Sequence, residues 1–184
     1  MTVLGVYYAW YSMLSQPAFF GVAPKYLTPD DSGIKQVVSG GSFVVSVAER
    51  TLTLGGKTLK IVERSRILKP RTGAEMLKDP VGMCEDYSNL FGSLLIAAGY
   101  PVRAVGGNAT YHVGSKTLSG GHAWIEVLID GKVYYVDTFD PPKGIFLIPI
   151  EEARTKLTLK PGKMWGKTAG GKVIETVKYS AVWP

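Results

Sequence analysis

Apolar and polar positions change period along this chain, and the changes mark its elements. From Cys84, apolar residues recur at Tyr87, Phe91, Leu94/Leu95 and Ala98, steps of three and four that predict a helix from about Met83 to Ala98. Glu85, Asn89 and Ser93 fall on its other side. Gly99 supplies a left-handed stop and Pro101 follows it. Just upstream, Thr72 and Glu75 have the spacing of a capping box, so a short helix starts there and breaks at Pro80-Val81-Gly82. After Pro101 the period drops to two. Strands are expected over Val102–Val105, Ala109–Val113, Ala123–Ile129, Val133–Thr138, Ile145–Ile150 and Val173–Val182, with a helical turn over Glu151–Leu157. Before Thr72, Phe43–Leu54 is apolar and β-branched, and Gly55-Gly56 separates Leu52/Leu54 from Leu59/Ile61, which reads as a hairpin. Lys25–Gly33 reads as a loop, and the N-terminal segment as a short helix stopping near Pro17.

One turn fixes a register. Asp130-Gly131 between two alternating strands predicts a two-residue type I′ hairpin. Ile129 then opposes Lys132, Leu128 opposes Val133, and Trp124 opposes Asp137. His122, Trp124 and Glu126 share a face, and Asp137 joins them diagonally across from His122, within reach of an imidazole. A slip of one residue would separate them.

Composition narrows the classes. The 184 residues fit one domain with a sizeable core. A single cysteine excludes an internal disulfide and suits a reducing, cytoplasmic setting. With no Cys-x-x-Cys and no ligand spacing between His112 and His122, no metal or other cofactor is expected. The net charge of +6 comes partly from lysines scattered through the C-terminal third, with no nucleic-acid motif, so a nucleic-acid partner is not expected. Thr2–Pro24 is uncharged, but Gly5, Ser12, Ser15, Gln16 and Pro17 interrupt its apolar run. Neither a signal peptide nor a membrane span is expected.

Cys84, His122 and Asp137 together make a chemical unit. A thiol at a helix start, next to a base, becomes a nucleophile. His122 would take its proton, and Asp137 would orient the ring. Backbone N–H groups at the helix start could hold an oxyanion. Asp86 and Glu85 oppose thiolate formation, the latter pointing away by helical geometry. Trp124, on the face of His122, could form one wall of a substrate site. His112 reads as a loop histidine.

Gly82-Met83-Cys84-Glu85-Asp86-Tyr87, the helix ending Leu94-Leu95-Ile96-Ala97-Ala98-Gly99-Tyr100, Gly121-His122-Ala123-Trp124-Ile125-Glu126 and Tyr134-Tyr135-Val136-Asp137 resemble the transglutaminase-like superfamily. The similarity covers about Thr72 to Phe139 within a single domain spanning 1–184. It implies an α+β, papain-like fold, with the cysteine helix packed on an antiparallel sheet, and a Cys84–His122–Asp137 triad acting on a peptide or protein substrate. The superfamily includes cross-linking enzymes, peptidases, amidases and members without activity. The expectation is a peptidase or amidase hydrolysing peptide or isopeptide bonds. The alternatives are a protein-glutamine transglutaminase and a non-catalytic binding or structural module. The family often adds an upstream side chain as a second oxyanion donor, for which Gln36, Gln16 and Trp10 are the candidates.

Overall fold

The computed structural model describes residues 24–61, 70–113, 116–139, 141–167, 173–180 and 183. The expected N-terminal helix lies outside them. Asp31 starts the first described α-helix, α1 (Ser32–Ser39), by accepting the N–H groups of Gly33 and Ile34 at 2.9 and 3.2 Å. The loop expected over Lys25–Gly33 thus holds a cap and the helix's first two residues. The same aspartates that mark a turn also mark a helix start.

The hairpin differs from expectation. Strands β1 (Phe43–Ser46) and β2 (Thr51–Leu54) turn back at Val47–Arg50, where Arg50 takes a left-handed φ of 57°. No Gly, Pro or Asn marks that turn, so the run reads as unbroken. Beyond Gly55-Gly56, β3 (Lys60–Ile61) instead pairs in parallel with β4 (Val81–Gly82). Between them, Thr72 caps α2 (Gly73–Lys78) with the expected reciprocal box to Glu75.

Helix α3 (Cys84–Ala97) follows, and Gly99 ends it at φ 94°. Every residue from Cys84 to Ile96 is buried. This corrects the amphipathic reading: Glu85, Asn89 and Ser93 do not face water, because α1 and α2 cover the side that the sheet leaves free. Their polar atoms are bonded instead, Asn89 Oδ1 excepted among the described residues. Ser93 Oγ donates to the Asn89 carbonyl and accepts the Thr28 N–H, and Asn89 Nδ2 donates to the Arg71 carbonyl.

The long hairpins come next: β5 (Val102–Val113), β6 (Lys116–Ile129), β7 (Lys132–Asp137) and β8 (Ile145–Pro149). A short helix, α4 (Ile150–Lys156), leads into β9 (Leu157–Lys167), and β10 (Val173–Lys178) closes the series. These strands form one antiparallel sheet in the order β1-β2-β8-β7-β6-β5-β9-β10. Strand β9 was not legible, because Lys160-Pro161-Gly162-Lys163 reads as a break. The sheet absorbs it at a bulge, where Gly106 pairs with Lys163 and Gly107 with Pro161, leaving Gly162 as the extra residue.

The sheet has two covered faces. Val102, Ala104, Ala123, Ile125, Val127 and Val136 pack against Leu90, Phe91, Leu94 and Leu95 of α3. Val105, Trp124, Tyr135 and Met164 pack on the other face with Ile150 and Ala153 of α4. Fold class is α+β, with the cysteine helix on an antiparallel sheet, as expected. Among the described residues, no helix is long and apolar enough to cross a membrane.

The bulge offers a test. A Cβ on Gly107 would run into the Lys160 carbonyl oxygen and Pro161. Gly107→Ala is expected to cost about 1–3 kcal/mol through overpacking. Urea denaturation measures this, and an unchanged midpoint would mean that β9 yields at no cost.

Candidate active site

The backbone of Cys84 is fixed before its side chain is considered. Cys84 is the first residue of α3, and the buried Asp86 carboxylate accepts the N–H groups of Met83 at 3.1 Å and Arg71 at 2.9 Å. Burial raises the Asp86 pKa above the usual carboxylate value, and those N–H donors offset it only in part. The Arg71 guanidinium bonds the Val81 carbonyl. The Tyr87 hydroxyl accepts the Lys60 N–H at 2.8 Å and sits 2.7 Å from the carbonyls of Lys60 and Pro80. Helix start and β3–β4 ribbon are thereby tied together.

The thiol sits at the open edge of β6. Strand β7 pairs with β6 as far as Val136 opposite Ile125, and Asp137 is its last residue. Past that point, the Ala123 carbonyl accepts from Thr138 Oγ1 at 3.5 Å, and the Ala123 N–H is directed at the Cys84 sulfur. Cys84 therefore lies beside the residue that follows His122. Its other partner is Glu85, whose Oε2 accepts the S–H at 3.2 Å. The outward direction expected of Glu85 from helical geometry is not kept: its side chain is buried and folds back onto the thiol. Burial, and then the Glu85 charge, push the Cys84 thiol well above its ordinary pKa, against the N–H groups of Ala123 and Glu85. The activated thiolate expected from the helix start is thus not the resting form. Desolvation and a carboxylate outweigh the N–H donors.

His122 faces the other side of the strand, in an aromatic box. Its ring stacks on Trp124 at 6.0 Å and meets Tyr111 at 5.8 Å and Phe139 at 6.3 Å edge-on. Tyr135 Oη lies 3.4 Å from His122 Nε2, 3.4 Å from Asp137 Oδ1 and 3.2 Å from Tyr111 Oη. Asp137 Oδ1 also accepts the Phe139 N–H at 3.0 Å. Burial pushes the His122 pKa down to about 3 and the Tyr135 pKa well above its usual value. Both are neutral over the ordinary pH range.

His122, Trp124 and Asp137 thus come together on one face, while Cys84 reaches the adjoining edge from the other side. Trp124 is fully buried and donates Nε1–H to Glu126 Oε1 at 3.2 Å, so it backs His122 rather than lining an open wall. Glu126 pairs with the buried Arg103, which lies between the Tyr179 and Trp183 rings. His112 is on β5 opposite Thr117, not in a loop. Gln36 is exposed on α1, and Gln16 and Trp10 lie outside the described residues. Tyr135 had no expected role. Its place one alternation step before Asp137 was the available signal. Among the described residues, no three of His, Cys, Asp and Glu are grouped to hold a metal ion.

This helix-and-hairpin geometry coincides with a family match. Residues 50–138 match the model of the transglutaminase-like superfamily. The match spans just under half of the chain, and by this segment the chain is similar to that superfamily. The match starts upstream of the quoted motifs, at the turn before β2, and ends one residue past Asp137. Among solved structures, the chain is similar to one described as "a Putative Cysteine Protease from Cytophaga hutchinsonii", with 13% identity and a TM-score of 0.45. That alignment covers 94% of this chain and 60% of the other, so this chain spans about three-fifths of that protein's length. No curated protein matches the chain. That similarity supports a cysteine-dependent enzyme in general terms.

Two outcomes follow from the electrostatics. Glu85→Gln removes the charge beside the thiol, so the pH profile of Cys84 alkylation should move to lower pH. An unmoved profile would mean that Glu85 does not hold the thiol protonated. His122 is buried neutral: the unfolded chain takes up its proton below about pH 6.5, whereas the folded chain resists until about 3. Its contribution to stability is therefore complete above 6.5 and is lost as pH falls towards 3. Denaturation midpoints across that window should fall less steeply in His122→Gln than in the parent.

Proposed function

We propose that this chain is a cysteine-dependent acyl-transfer enzyme that hydrolyses peptide or isopeptide bonds through a thioester on Cys84. The observation that carries the reading is the Cys84 sulfur at the open edge of β6, bonded by the Ala123 N–H, one residue from an imidazole tethered towards Asp137. On substrate binding the thiol turns from Glu85 round this edge and gives its proton to His122. The sulfur attacks the amide carbon, N–H groups at the start of α3 receive the oxyanion, and His122 returns the proton to the leaving amine. Water then cleaves the thioester, with His122 as base. Asp137 stabilises the imidazolium that forms in each step.

Hydrolysis is preferred over amine transfer because transfer needs an enclosed channel that excludes water and holds the amine. Trp124, the candidate wall, is buried behind His122 and lines no such channel. A second reading has its own support. The thiol is buried, protonated and held by a carboxylate, as suits a binding or structural module that keeps the fold. Sub-stoichiometric iodoacetamide at neutral pH, followed by mass measurement, separates the two. Labelling of Cys84 that accelerates with a peptide ligand supports the enzyme, and a thiol inert under all conditions supports the module.

For the enzyme, Cys84→Ala should abolish turnover with the fold intact. His122→Ala should cost about 10²–10⁴-fold, and Asp137→Asn should leave more activity than either. Full activity in Cys84→Ala would sink the mechanism. A glutamine peptide offered with a labelled primary amine then divides the reactions. Bond cleavage or ammonia release without incorporation supports hydrolysis, whereas dominant incorporation makes the protein a transglutaminase.

A further inference from the structure

We infer that Tyr135 is a positioning residue of this site: its hydroxyl links His122 to Asp137 and holds the imidazole in one tautomer. The inference rests on the reading of Cys84, His122 and Asp137 as the reacting unit. The hydroxyl is the hub of three contacts, to Asp137 Oδ1 at 3.4 Å, His122 Nε2 at 3.4 Å and Tyr111 Oη at 3.2 Å. A phenol has one proton to give and two lone pairs to accept with.

That count assigns the proton at each of the three Tyr135 contacts. An ionised carboxylate only accepts, so the Tyr135 proton goes to Asp137. The other two contacts must then be donations to the Tyr135 oxygen, one from the Tyr111 hydroxyl and one from His122 Nε2–H. Neutral His122 therefore carries its proton on Nε2 and presents Nδ1 as the basic nitrogen. When Nδ1 takes the thiol proton, the charge on the imidazolium is met by the Tyr135 oxygen and, through its O–H, by Asp137. No proton leaves Tyr135. Tyr135 is fully buried, so water does not compete for these contacts.

The two links of 3.4 Å are long for hydrogen bonds. Such bonds commonly tighten only when substrate is bound. The aromatic box supplies the restraint meanwhile: Trp124 stacks on the imidazole, and Tyr111 stacks on Phe139 at 4.2 Å.

The chain has two histidines, so its ¹⁵N spectra contain two imidazoles, and His112 serves as reference. The wild-type protein should show His122 as the Nε2–H tautomer at neutral pH. Tyr135→Phe removes the acceptor of that proton. It should give a mixed or Nδ1–H tautomer, with kcat on a cleaved peptide falling at least about tenfold and KM little changed. Tyr111→Phe leaves the link intact and should keep the tautomer. An Nδ1–H tautomer in the wild type would overturn the inference. So would an unchanged tautomer in Tyr135→Phe, or an equal change in Tyr111→Phe, which would assign the ring's placement to the aromatic box. If Tyr135→Phe fails to fold, Asp137→Ala takes its place. With no carboxylate to receive it, the Tyr135 proton turns to Nε2, so the tautomer should shift to Nδ1–H. An unchanged tautomer there would overturn the inference. The spectra need no substrate, so the two readings fail separately. An Nε2–H tautomer lost in Tyr135→Phe, in a protein with no turnover on any peptide, sinks the hydrolase reading and leaves the Tyr135 link standing.

Discussion

The two-residue turn at Asp130-Gly131 sets the register on which both faces of the sheet depend. Asp130 and Gly131 take φ of 48° and 74°, the left-handed pair that a type I′ turn requires, and Ile129 consequently faces Lys132. Side chains then alternate without freedom. Ala123, Ile125, Val127 and Val136 go to the helix side, and His122, Trp124, Glu126, Tyr135 and Asp137 to the other. A slip of one residue would bury Glu126 against Leu94 and send Ile125 into the aromatic box. Each face rejects the other's residues, so the register is held from both sides.

The cysteine helix depends on that register in turn. Its apolar side needs Ala123, Ile125 and Val127, and its polar side needs α1 and α2. Once enclosed, Asp86, Asn89 and Ser93 cannot turn to water, so their bonds to Met83, Arg71 and Thr28 become structural requirements. These bonds fix where Cys84 begins. Glu85, buried in the same helix, bonds the Cys84 thiol and favours its protonated form.

The site is therefore split across a strand edge. The Cys84 thiol and the His122 imidazole approach β6 from different sides, near where β7 ends at Asp137. Under the proposed mechanism, this arrangement keeps the resting thiol apart from its base and makes the reaction depend on a side-chain movement. His122 is neutral in its box, because burial makes its protonation costly.

Local chemistry determined much of this protein unaided. The Thr72 capping box, the extent of α3, its Gly99 stop, the Asp130-Gly131 turn and the sharing of a face by His122, Trp124 and Asp137 follow from period and turn residues alone. Each is decided within a few residues of chain. What tertiary structure decided involves segments far apart. The full burial of α3 needs α1 and α2, the passage of β9 through Pro161 needs Gly107 on the neighbouring strand, and the parallel β3–β4 pair needs a partner about twenty residues on. The same holds within the site. Sequence put Glu85 outside and left Tyr135 without a role, because a side chain's final direction depends on which surfaces are closed and which hydroxyl lies across the sheet. Spacing along the chain carries no record of either.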